Sequence, residues 1–119
     1  MHSVGVDIIE IERIRSALAR WGERFLRRVY TSPEVAYSAG KAPELAVRFA
    51  AKEAVSKALG TGMHGVAWRE IEIIPDRRGK PHLRLHGRAL ARAEELGLSE
   101  FSVSLSHSHE LAIAFVVAT

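Results

Sequence analysis

Cysteine is absent from this chain of 119 residues. Disulfides, thiolate nucleophiles and cysteine-ligated zinc are therefore excluded, and the lack fits a reducing compartment. No apolar run approaches the roughly 20 residues needed to cross a bilayer, so no membrane span is expected. The opening MHSVGVDIIE has no basic n-region and meets an acid at Asp7. It does not read as a signal peptide, and a cytoplasmic location is expected. Aromatic residues are sparse at 7%. Repeats, linkers and low-complexity tracts are also missing. At this length, with 47% apolar and 26% charged residues, one domain spanning 1–119 with a single core is expected.

What charge there is lies unevenly. The net charge is only +3, yet residues 10–30 hold Arg13, Arg15, Arg20, Arg24, Arg27 and Arg28 against Glu10, Glu12 and Glu23, six minus three. A local basic segment points to an acidic partner. Nucleic acid is the rival partner, but aromatic interleaving is lacking, because Trp21 and Phe25 fall on the apolar stripe and are assigned to the core. No nucleic-acid partner is expected.

Ser3 to Ile9 reads as a short buried strand. Ile11, Ile14, Leu18, Trp21 and Phe25 then form an amphipathic stripe over 11–29, with Gly22 a break or bend. Ser32-Pro33-Glu34 reads as an N-cap followed by a proline and a first-turn acid. Pro43 opens a long helix that the Gly60-Thr61-Gly62 stretch ends. Trp68 to Ile74 and Pro81 to Leu85 read as strands joined by a turn over 76–80, and 87–96 as a helix closed by Gly97. Phe101 to Ser106 and Leu111 to Ala118 read as a hairpin whose second strand, being a continuous apolar run, is expected to be buried on both faces. The class is α+β, with a mixed sheet and a long central helix.

Chemistry concentrates at three places. Asp7, inside an apolar strand, either caps the next helix or binds a metal. On the long helix, Arg48, Lys52 and Lys57 surround Glu53 on one flank, with Ala50, Ala54 and Ala58 permitting close packing behind. That flank is either a solvated face with an ordinary salt bridge or a cradle for a polyanion with a divalent metal at the acid. Gly60 is either a plain C-cap or a point of close backbone approach. Strand alternation places His107 with Val103 and Leu105 and opposite Ser102, Ser104 and Ser106. His107 is either a core histidine or a ligand-binding one.

The run Phe49-Ala50-Ala51-Lys52-Glu53-Ala54-Val55-Ser56-Lys57-Ala58-Leu59-Gly60-Thr61-Gly62 resembles the signature of the holo-acyl-carrier-protein synthase family of phosphopantetheinyl transferases. Gly5 through Asp7 to Arg13 and Ile14 resembles that family's opening strand and helix, with Ser3 where a further glycine is usual. Ser106-His107-Ser108 is similar to its C-terminal motif and Gly79-Lys80-Pro81 to its hairpin turn. The resemblance implies the phosphopantetheinyl-transferase fold. It also implies magnesium-dependent transfer of phosphopantetheine from coenzyme A to a serine of an acyl carrier protein, for fatty acid biosynthesis, with adenosine 3′,5′-bisphosphate released. It further implies a trimer with active sites between subunits. Asp7 and Glu53 would hold magnesium, and Glu53, Lys57 and His107 would carry the chemistry. Arg48, Lys52, Lys57, Gly60, Gly79, Pro81, Ser106 and His107 would bind coenzyme A. Arg13, Arg20 and Arg24 would meet the carrier. For residues 30–44 the resemblance assigns no contacts.

Overall fold

A computed structural model describes residues 1–119. Strand β1 (Ser3–Glu10) runs directly into helix α1 (Ile11–Trp21), followed by α2 (Glu23–Val29), α3 (Ser32–Ser38) and the long α4 (Ala42–Ala58). A hairpin β2 (Ile71–Pro75) and β3 (Pro81–Leu85), helix α5 (Gly87–Leu96) and a second hairpin β4 (Phe101–His107) and β5 (Leu111–Ala118) complete the chain. The α+β class and the central helix stand as read. The pairing is antiparallel throughout, where a mixed sheet was expected: one sheet has the order β1-β5-β4 and the other is β2-β3 alone.

Helix α4 is buried nearly all round, its alanines Ala46, Ala50, Ala54 and Ala58 among the core residues. Small side chains let strand β1 approach closely. A Cβ added at Gly5 would lie 1.9 Å from the Ala54 carbonyl oxygen, so only glycine fits there. Ser3, two residues earlier, donates its hydroxyl to the Ala58 carbonyl, which accounts for a serine at that place. Gly5, Asp7 and Ile9 thus face α4, while Val4, Val6 and Ile8 face away.

Gly22, with φ +54°, breaks the 11–29 stretch as the sequence allowed, dividing it into α1 and α2. Three local readings change. Thr31, not Ser32, is the N-cap of α3: its side chain accepts from the Glu34 N–H while the Glu34 carboxylate accepts from the Thr31 N–H. Trp68–Glu70 is a 3-10 turn, and β2 starts only at Ile71. Trp21 is not core: it is 48% exposed, with Arg20 and Arg24 guanidinium groups over its ring. The C-terminal end of α1 leaves the body of the domain just where the stripe would have carried Trp21 inward. Phe25 stays half-buried, edge-on to the buried Tyr30.

Strand β5 also departs from expectation. Ala112, Ala114, Val116 and Ala118 pack inward, but Leu111, Ile113 and Phe115 are exposed. Together with Val4, Val6 and Ile8 they make an apolar outer sheet face that nothing else in the chain covers, bordered by the exposed Ser102, Ser104 and Ser106 of β4.

Candidate active site

The contact between β1 and α4 brings two acids together. Asp7 does not cap α1, whose cap position is Glu10 without a side-chain hydrogen bond. Instead it faces α4, where the Lys57 ammonium donates to its Oδ1 at 3.1 Å and to the Val6 carbonyl at 2.9 Å. Glu53 lies one turn before Lys57. Burial pushes its carboxyl up, the Asp7 charge pushes it further, and Lys57 and Arg13 pull it back without cancelling the rise. Arg13, from α1, is thus close enough to act on the same acid. A strand acid, a helix acid and two cations from different elements form one cluster.

A second feature lies five residues before Glu53, about 7.5 Å along the helix axis. Arg48, Gly79, Pro81 and His107 line one cleft of about 200 Å³ with Tyr37, Glu44, Val47 and Leu105. Residues far apart in sequence converge here: α4 supplies the arginine, the β2–β3 turn a glycine, the start of β3 a proline, and the end of β4 the histidine. His107 is exposed, which removes the core reading. Arg48 is only 3% exposed. Its Nη1 donates to the Glu44 carbonyl and carboxylate, and its Nε is buried without a partner.

Three expected ligand contacts do not fit this arrangement. Lys52 does not join Arg48 and Lys57 on one flank. It is fully buried, donates to Glu34 Oε1 at 2.8 Å and also to the Trp68 and Ile71 carbonyls, and has no path to a ligand. Burial lowers its pKa, and the Glu34 charge offsets this only in part. Gly60 closes α4 with φ +73°, and its neighbourhood is the Arg92 side chain rather than the cleft. Ser106 points to the outer sheet face, opposite His107, because adjacent strand residues alternate.

Arg13, Arg20 and Arg24 are all exposed on the α1–α2 surface. Trp21, Arg24, Phe25 and Arg28 line a shallow groove there of about 320 Å³. Three residues were missed from the sequence: Glu34, whose ion pair takes up Lys52, and Tyr37 and Glu44, which line the cleft. The capping-box pattern of Thr31 and Glu34 was a signal for the first. A half-exposed tyrosine gives none.

Known proteins match this chain throughout. The model of the 4′-phosphopantetheinyl transferase superfamily matches residues 3–116. A holo-acyl-carrier-protein synthase from Herpetosiphon aurantiacus is 58% identical over 95% of this chain and 94% of its own length. The crystal structure of the Helicobacter pylori holo-acyl-carrier-protein synthase in complex with coenzyme A is similar with a TM-score of 0.90 at 31% identity, covering 98% of this chain and 99% of that one. The corresponding enzyme from Neisseria meningitidis gives 0.87 at 42% identity, covering 98% and 97%.

Proposed function

This chain is an enzyme and belongs to the 4′-phosphopantetheinyl transferase superfamily, and from that premise we propose that it moves the phosphopantetheine arm of coenzyme A onto a serine of an apo acyl carrier protein, in fatty acid biosynthesis in the cytoplasm. The observation that carries the reading is the meeting of Asp7 with Glu53 and Lys57, on the same helix as a cleft holding a buried arginine.

The carrier serine Oγ attacks the phosphorus next to pantetheine. An O–P bond forms there as the P–O bond to adenosine 3′,5′-bisphosphate breaks, and the serine proton passes to Glu53, directly or through a water. With no cation between the acids, burial and the Asp7 charge raise the Glu53 carboxyl. Lys57 spends two of its three N–H donors on Asp7 and the Val6 carbonyl, leaving one for a phosphate oxygen. Arg48 and His107 would take phosphates of the nucleotide end, beside Gly79 and Pro81.

Magnesium fits the acids present. The two carboxylates are not joined by a third acid or a histidine in any metal-binding cluster, and a small hard cation that keeps several waters and shares phosphate oxygens asks for no more. Asp7 and Glu53 would hold it, and when bound it supplies neutralisation of the diphosphate charge.

The exposed face of Val4, Val6, Ile8, Leu111, Ile113 and Phe115 supports association with further copies, since a patch of this kind calls for a partner, and the family resemblance makes that assembly a homotrimer. Ser106, on that same outer face, would then serve a site shared with a neighbouring subunit. The basic surface of Arg13, Arg20 and Arg24 supports docking of an acidic carrier, and Arg13's effect on Glu53 links that surface to the acids.

Thermal melting tests the reading. Coenzyme A and magnesium together should raise the Tm well beyond either alone, and an oligonucleotide should not. A rise with the oligonucleotide and none with the pair would overturn it.

A further inference from the structure

We propose that Tyr37 is a positioning residue that fixes the plane of the Arg48 guanidinium for a phosphate of coenzyme A, an inference that rests on the reading of the cleft above. The Arg48 Cζ lies over the Tyr37 ring at 4.6 Å from its centroid. On another side, Nη1 is tied to the Glu44 carbonyl at 3.1 Å and to its carboxylate at 3.0 Å. A guanidinium clamped at one nitrogen and across one face has little freedom left. Its Nη2 makes no hydrogen bond and remains for a ligand in the cleft shared with His107, Gly79 and Pro81.

Tyr37 has no other evident task. It is 48% exposed, and its hydroxyl makes no hydrogen bond, so neither burial nor polar bonding explains a large aromatic at this place. A flat π-face over a flat cation is the interaction that arginine makes and lysine does not make equally well. Holding the cation beforehand removes the ordering cost that the ligand would otherwise meet. The alternative is that the ring stacks on the ligand itself, and the two differ in whether Tyr37 matters once Arg48 is gone.

Calorimetric affinity for coenzyme A with magnesium, measured on wild type, Tyr37→Leu, Tyr37→Phe, Arg48→Met and the Tyr37→Leu/Arg48→Met double variant, decides between them. Tyr37→Leu should weaken binding about threefold to fivefold, with kcat at saturating coenzyme A unchanged. Tyr37→Phe should match wild type. The double variant should bind no worse than Arg48→Met alone. If Arg48→Met does not fold, as a melting scan would reveal, Arg48→Gln takes its place in the cycle. Two effects that multiply independently would overturn the proposal, because the ring would then act on the ligand. So would a Tyr37→Phe variant as weak as Tyr37→Leu. Wild-type affinity in Arg48→Met would instead remove the cleft reading on which the proposal rests.

Discussion

Lys57 gives its ammonium to Asp7, fifty residues away in sequence, and forms no ion pair with Glu53, its own neighbour one helical turn back. Lys57 therefore acts on Glu53 only from a distance, and its pull, with that of Arg13, is outweighed by burial and the Asp7 charge, so the carboxyl rises. Two acids held this close without a full set of counter-charges favour a divalent cation. Asp7→Ala and Glu53→Ala should each abolish transfer while the fold survives. Titration of magnesium in the presence of coenzyme A should show binding lost in both variants, and wild-type affinity in both would remove the metal assignment.

Gly5 sets the distance between those acids. A methyl there would meet the Ala54 carbonyl oxygen at 1.9 Å, so β1 must retreat from α4 and take Asp7 with it. Gly5→Ala should cost about 1–3 kcal/mol of stability, as overpacking does, and should lower activity beyond that loss. Chemical denaturation and turnover measured below the melting transition check both. An unchanged variant would mean that the strand and helix do not pack this tightly.

On the outer surface, charge should govern encounter more than affinity. Reversing Arg13 and Arg20 to glutamate should raise the KM for carrier protein while sparing the KM for coenzyme A. The wild-type reaction at low carrier should slow as salt rises, and the double variant should lose much of that dependence. Steady-state kinetics at two ionic strengths report it. A variant equal to wild type for carrier at low salt would place docking elsewhere.

The apolar outer face makes its own demand. Phe115 on β5 pairs across the sheet with Val6 on one side and Ser104 on the other, so it sits mid-face. Phe115→Lys should break the assembly without unfolding the chain, because the side chain is 45% exposed in the isolated subunit. Sedimentation should give a trimer for wild type and a monomer for the variant, and a wild-type monomer would contradict the assignment.

Much of this site was legible in the sequence because it is written in local patterns. The spacing of Glu53, Lys57 and the alanines left one helix flank as a solvated face or a polyanion cradle, and the apolar setting of Asp7 left it as a helix cap or a metal ligand, of which the fold removes the cap. Long-range partners were not legible. Lys52 shares the helix motif, yet its ammonium turns to Glu34 and two backbone carbonyls in the core, a choice set by packing of α3 and β2 rather than by helical spacing. Trp21 obeyed the apolar period of α1 but fell past the point where that helix leaves the core, at a break made by Gly22. The continuous apolar run of β5 signalled burial on both faces, and only the fold shows that one of those faces has no cover within the chain.

The claim of phosphopantetheinyl transfer is tested most directly by the intact mass of an apo acyl carrier protein incubated with this enzyme, magnesium and coenzyme A. The carrier should gain the mass of one phosphopantetheine, lost again when its acceptor serine is replaced by alanine. A carrier whose mass stays at the apo value with active, folded enzyme present would contradict the account.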